Sequence, residues 1–263
     1  MPTLNVDGVP LHYRDEGRGL PVLLFHAFPL TSGSFAPQVA ALGGRYRFLL
    51  PDARGFGGSA LGEGPTEMSR MARDGLAILD ALGLDTAVVG GVSMGGYASM
   101  ALLREDASRV RALVLVDTQV TADDDAGRAR RETQAQDALA RGVQSVLENN
   151  LPKLITSPVD SRVGREVAAL MREGTPGGIA AALRGMGLRH DSKDMLARFA
   201  GPALVVVGAE DHVTPLEKAR QMADLIGGAQ LEVIPAAGHL PNQENPEAFN
   251  GVLDAFLSRL LAA

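Results

Sequence analysis

The 263-residue chain has no cysteine and no tryptophan, and aromatic residues make up only 4% of it. Without cysteine, disulfides, thiolate nucleophiles and most structural zinc sites are excluded, which agrees with a reducing compartment. Positive charge is also scarce: 25 Lys and Arg stand against 31 Asp and Glu, a formal net charge of -6, with no basic block to hold a phosphate backbone. Nucleic acid is therefore not an expected partner. Met1 to Asp7 has no basic segment followed by an apolar one, so no export signal is visible and the expected location is cytoplasmic. The uncharged stretch Thr86 to Leu103 is long enough to suggest a membrane span, but Gly90, Gly91, Gly95 and Gly96 interrupt it around Ser93. It reads as strand, tight turn and helix, and no membrane association is expected. Neither H-E-x-x-H, nor a phosphate-binding G-x-x-x-x-G-K-[ST], nor G-x-G-x-x-G occurs, so neither a metal nor a cofactor is implied.

What is present is a rhythm. Short apolar runs at Val22 to Phe25, Phe48 to Leu50, Ala87 to Val92, Val110 to Val116, Leu204 to Val207 and Leu231 to Ile234 have the composition of strands buried on both faces. Amphipathic segments separate most of them, which predicts an α/β fold: a mostly parallel sheet with helices on both sides. The last helix declares itself through Asn245 as cap, Pro246 in the first turn, and Phe249, Val252, Leu253, Phe256, Leu257 and Leu260 at three-and-four spacing.

From residue 120 to 198 the rhythm changes to Ala, Arg, Leu, Glu and Asp in helical patterns, with no convincing strand. This stretch is expected to be a helical insertion in a core formed by residues 1–119 and 199–263. Thr121 with Asp123 to Asp125 reads as a capped helix start, and breaks at Pro152, Pro158, Pro176 to Gly178 and Asp191-Ser192 predict four or five short helices. No aromatic residue lies between Tyr97 and Phe199, so any pocket wall from the insertion is aliphatic or built on Met171, Met186 and Met195.

Gly91-Val92-Ser93-Met94-Gly95 matches G-x-S-x-G, a serine on a sharp strand-to-helix turn between small residues. The bland alternative is a Gly/Ser packing turn without chemistry. A serine hydroxyl is a poor nucleophile at neutral pH, so the reading requires a base, and the base requires an orienting acid. Gly238-His239-Leu240 comes after the last predicted strand and Gly208-Ala209-Glu210-Asp211 after the one before it, which makes Ser93, Asp211 and His239 the candidate catalytic set. That chain order, Ser, Asp, His, differs from the orders of chymotrypsin-like and subtilisin-like enzymes.

With His26-Ala27-Phe28-Pro29 and Asp52-Ala53-Arg54-Gly55-Phe56-Gly57-Gly58-Ser59 added to the serine elbow, the acid loop and Gly238 to Pro246, nearly the whole chain resembles the α/β-hydrolase superfamily, near its 3-oxoadipate enol-lactonase and carboxylesterase branch. The resemblance implies an eight-stranded α/β-hydrolase sheet with a helical cap at residues 120–198, and an oxyanion hole made by the backbone N–H groups of Phe28 and Met94. Ala27 departs from the His-Gly usual in that family. The activity that the resemblance implies is that of an esterase or lactonase acting on a small molecule through an acyl-enzyme, with a homo-oligomer left open. The same triad could also serve a cofactor-free perhydrolase, a haloperoxidase or a C–C bond hydrolase, although perhydrolase-like proteins commonly carry a tryptophan where this chain has Phe28. A catalytically silent ligand-binding protein is the remote alternative.

The other polar candidates have structural explanations. Asp117 is expected to cap a turn, although some family members take their acid from that strand; Arg54 and Asp52 are expected to form a structural ion pair; His26 is expected to support the oxyanion loop; Glu210, His212, His12 and His190 carry no catalytic expectation. A carboxylate-bearing lactone would favour an inward arginine from Arg130, Arg131, Arg162, Arg165, Arg172, Arg184 or Arg189.

Overall fold

Six apolar runs pair in parallel, and this decides the architecture. A computed structural model describes residues 2–262. Its elements are β1 (Thr3–Val6), β2 (Val9–Gly17), β3 (Leu20–Phe25), α1 (Ala36–Leu42), β4 (Tyr46–Pro51), α2 (Met68–Ala81), β5 (Ala87–Val92), α3 (Met94–Glu105) and β6 (Val110–Val116). Then come α4 (Asp125–Arg141), α5 (Val143–Leu154), α6 (Arg162–Met171), α7 (Pro176–Gly187), α8 (Lys193–Leu196), β7 (Ala203–Gly208), α9 (Leu216–Leu225), β8 (Gln230–Ile234), α10 (Pro241–Glu244) and α11 (Pro246–Ala262). The strands form one eight-stranded sheet in the order β1-β2-β4-β3-β5-β6-β7-β8, parallel from β4 to β8 and antiparallel where β1 meets β2 and β2 meets β4.

Strands β5 and β7 are buried at every residue, as their unbroken apolar runs predict. The run at β8 differs: Glu232 and Val233 are exposed, because β8 is an edge strand with a neighbour on one side only. Helices α2 and α3 close one face of the sheet with Met71, Ile78, Leu102 and Leu103. On the opposite face α11 buries Phe249, Leu253, Phe256, Leu257 and Leu260 with α1 beside it. Asn245 caps α11, its Oδ1 accepting from the Ala248 N–H at 3.3 Å.

Between β6 and β7 the chain is helical, α4 to α8, without a strand. Three details there depart from expectation. The α4 cap is Asp124, whose side chain accepts from the Gly127 N–H at 2.7 Å, while the Thr121 hydroxyl bonds to Gln119. Pro152 ends nothing at its own position; it lies in the last turn of α5, which runs on to Leu154. The break unread in the sequence is Gly142, whose φ of 76° turns the chain from α4 into α5. The uncharged stretch Thr86 to Leu103 divides into β5, Ser93 and part of α3, and among the described residues no helix is long and apolar enough to cross a membrane.

Candidate active site

Parallel strands place their C-terminal ends on one edge of the sheet, where such folds gather ligand-binding loops. Ser93 comes directly after β5, Asp211 after β7 and His239 after β8. Strands β5 and β8 stand three spacings apart, about 14 Å, so the histidine reaches the serine only because its loop folds back over the sheet end.

At the end of β5 the chain reverses within one residue. Ser93 has φ 54° and ψ -111°, a conformation that L-residues avoid, and it lies immediately before α3. The flanking glycines are required by space: a Cβ on Gly91 would stand 2.4 Å from the Gly95 carbonyl carbon, and one on Gly95 would stand 1.9 Å from the Phe25 carbonyl oxygen. The turn is held by the Ser93 N–H donating to the Val116 carbonyl at 2.9 Å and by the Thr118 hydroxyl donating to the Ser93 carbonyl at 2.9 Å.

The Ser93 hydroxyl oxygen lies 2.7 Å from His239 Nε2, and His239 Nδ1 lies 2.8 Å from Asp211 Oδ2. An ionised carboxylate only accepts, so the Nδ1 proton points at Asp211 and Nε2 is left to accept from the serine. Asp211 is held from several sides: Val213 and Thr214 N–H groups donate to Oδ1 at 2.7 and 3.1 Å, and the Thr214 hydroxyl donates to Oδ2 at 2.7 Å. Burial alone would raise its pKa; the hydrogen bond from His239, the attraction of that ring and the bonds from Thr214 and Asp117 more than offset it and hold the carboxyl well below the usual range. His239 and Asp211 are buried, whereas Ser93 is partly accessible.

The candidate oxyanion donors flank this group. Met94 opens α3 and Phe28 lies in the loop after β3, the strand next to β5; among the described residues neither N–H donates to a protein acceptor. His26 supports that loop as expected of it: Nε2 accepts from the Ala53 N–H at 3.0 Å, so Nδ1 bears the proton and donates to the Ala27 carbonyl at 2.9 Å. Complete burial depresses its pKa and keeps the ring neutral. Ala27, where the resemblance leads one to expect glycine, does not take a positive φ, so its Cβ introduces no backbone strain.

Elsewhere the partners differ from those expected. Arg54 pairs with Asp74 through two bonds of 2.9 and 2.7 Å, not with Asp52. Asp52 instead takes His12 Nδ1 at 2.6 Å and the Ser32 N–H at 2.7 Å. Asp117 does not cap a local turn; its Oδ1 accepts from the Gly208 N–H at 2.9 Å, tying the end of β6 to the end of β7. Glu210, His212 and His190 are exposed. Sequence reasoning missed Glu244, whose Oε2 accepts from the Gly238 N–H at 2.6 Å while Oε1 accepts from the Thr156 N–H, the Thr156 hydroxyl and the Ser157 N–H at 2.7, 2.9 and 2.9 Å. Gly238 is near Glu244 in the chain, but Thr156 and Ser157 are distant, so nothing local signals that Glu244 joins the two segments.

Asp117, Asp211 and His239 offer ligand atoms within 4.8 Å of one another, and among the described residues they are the only such cluster. They do not make a free metal site. The His239 ring already spans Asp211 and Ser93, leaving neither nitrogen available.

Known proteins resemble this chain in sequence and in fold. The model of a family described as "Alpha/beta hydrolase family" matches residues 22–252. The chain is 30% identical over 243 residues to 3-oxoadipate enol-lactonase 1 of Acinetobacter baylyi, covering 91% of this chain and 90% of that one. A non-heme haloperoxidase of Rhodococcus erythropolis is 27% identical over 266 residues, covering 95% of this chain and 97% of the relative. Among solved structures, a thermophilic esterase of Thermogutta terrifontis superposes with a TM-score of 0.93 at 35% identity, covering 98% of this chain and 96% of the other.

Proposed function

We propose that this chain, which belongs to the alpha/beta hydrolase family, hydrolyses small carboxylic esters or lactones through an acyl-enzyme on Ser93. The observation that carries this reading is the unbroken line of hydrogen bonds from Ser93 Oγ through His239 to Asp211, at 2.7 and 2.8 Å. Ser93 Oγ attacks the substrate carbonyl while His239 Nε2 takes its proton, and Asp211 stabilises the imidazolium that results. Negative charge then develops on the former carbonyl oxygen, facing the N–H groups of Phe28 and Met94; one such donor is typically worth about 3 kcal/mol in the transition state. His239 returns the proton to the leaving alkoxide, and water activated by the same nitrogen releases the acid. Helices α4 to α8 serve as the cap that bounds the substrate pocket.

Three of the arginines that a carboxylate-bearing lactone could use are already paired with carboxylates, which favours an uncharged acyl group. Arg131 and Arg189 are both engaged by Asp123, Arg184 by Glu132, Arg162 by Glu166 and Arg165 by the Asp160 carbonyl, while Arg130 and Arg172 are exposed. Arg131, Arg189 and Arg184 are thus already matched by carboxylates, whereas Arg162 sits in an exposed pair and Arg165 meets only a backbone carbonyl. The test is hydrolysis of a chain-length series of p-nitrophenyl esters and simple lactones by the wild type and Ser93→Ala. Turnover that disappears in the variant supports the reading; turnover that persists, or its absence from both proteins together with no labelling by a fluorophosphonate, overturns it.

A further inference from the structure

Behind Asp211 lies a second carboxyl group for which the proposed reaction has no use. Asp117 comes directly after β6, is 1% exposed, and sits in the left-handed region with φ 43°. Its backbone N–H is spent on the Val206 carbonyl at 2.9 Å and its Oδ1 on the Gly208 N–H at 2.9 Å. Oδ2 is buried and no donor reaches it. The carboxyl belongs to the cluster, within 4.8 Å, that holds Asp211 and His239. A buried carboxylate oxygen facing another carboxylate is doubly unfavourable, because it lacks a hydrogen bond and repels its neighbour; one proton between the two removes both penalties.

We propose that Asp117 is a neutral carboxylic acid whose Oδ2–H donates a hydrogen bond to the Asp211 carboxylate, making it a positioning residue behind the proposed Ser93–His239–Asp211 relay. The two carboxyls are driven in opposite directions. Burial first, then the charge of Asp211, then the hydrogen bond to it raise Asp117 well above the carboxylate range, and Glu244 pushes the same way against the opposing Gly208 N–H. Asp211 is held below that range. The groups facing Asp117 are therefore Asp211 from the loop after β7, His239 from the loop after β8 and Glu244 from α10, and the only positive charge among them is the one His239 acquires during turnover. A neutral donor gives Asp211 a further bond without adding a second negative charge. A second charge would leave the buried Oδ2 of Asp117 facing Asp211 with repulsion and no bond between them.

This inference rests on the serine-hydrolase reading for its kinetic arm but not for its spectroscopic one. Asparagine copies a neutral acid, since its amide can donate to Asp211 and its carbonyl can accept from Gly208; alanine cannot. With a p-nitrophenyl ester, Asp117→Asn is expected to keep kcat/KM within about threefold of wild type with an unmoved acid limb. Asp117→Ala is expected to lose about tenfold or more in kcat with little change in KM, and its acid limb is expected to shift. Infrared difference spectra of wild type against Asp117→Asn at neutral pH should contain the C=O band of one protonated carboxyl. Three results overturn the proposal: absence of that band, a loss in folded Asp117→Asn as deep as in Asp117→Ala, or wild-type kinetics in Asp117→Ala. If the alanine variant does not fold, the asparagine variant and the spectrum decide alone. If no ester is turned over by any form, the spectrum still decides the protonation state and the failure belongs to the functional reading.

Discussion

The backbone N–H of His239 donates to the carbonyl oxygen of Leu154 at 3.1 Å, so the ring that faces Ser93 hangs from the last turn of a helix in the insertion. One position earlier in the same loop, Gly238 is held by Glu244, which also holds Thr156 and Ser157 just beyond that helix. The loop of the candidate base is therefore tied by hydrogen bonds to the segment at the end of α5.

The first prediction concerns that clasp. Glu244→Ala removes an acceptor for four donors, and hydrogen bonds to a charged group are worth about 2 kcal/mol each when well formed, less where water replaces them. Thermal unfolding should show a loss of about 2 kcal/mol, and kcat for an ester should fall more than KM changes, because the base loses its placement before the pocket loses its walls. Unchanged kcat in a destabilised protein would mean that Leu154 alone positions the histidine.

The second concerns strain at the serine. Ser93→Ala and Ser93→Gly should both be inactive, but they should differ in stability. With φ at 54°, alanine keeps the backbone penalty and glycine relieves it, a difference of about 1–3 kcal/mol offset in part by glycine's greater freedom when unfolded. Urea unfolding of the two variants side by side measures it, and an alanine variant at least as stable as the glycine one would show that the elbow stores no strain.

The third prediction comes from the opposite shifts of the two carboxyls. Asp117 has a folded pKa raised above its unfolded value near ~4, so the stability tied to its protonation is fully present below about pH 4 and is lost as pH rises toward the folded value. Asp211 has a depressed folded pKa, so its contribution is present above about pH 4 and is lost as pH falls through the folded value. Asp117→Asn removes only the first dependence. Its melting temperature, relative to wild type, should rise as pH increases above about 4 and level off once pH passes the raised folded value; a difference that is flat with pH would mean that Asp117 titrates alike in the folded and unfolded states.

Much of the fold could be read without coordinates because its signals are local. The apolar runs of β3 to β7 need no partner to be recognised, and Gly91, Ser93 and Gly95 encode their turn within five residues through the space a Cβ would need. The hairpin β1–β2 gave no such signal. Its exposures alternate and its side chains are half polar, so it joins the sheet by backbone pairing with β4 and not by an apolar run of its own. The α4–α5 break was equally silent, resting on one left-handed glycine.

The sequence by itself therefore determined the strands buried on both faces, the serine turn, the helix capped by Asn245, and the three residue types that the proposed chemistry requires. Only the tertiary structure decided which charged and polar groups meet. Arg54 finds Asp74 and not Asp52, Glu244 joins Gly238 to Thr156, and Asp117 comes to lie behind Asp211. The physical reason is range. Backbone conformation responds to neighbouring residues in the chain, whereas the protonation state of a carboxyl responds to whatever is buried within a few ångströms of it, and in this fold those neighbours arrive from separate strands at one edge of the sheet.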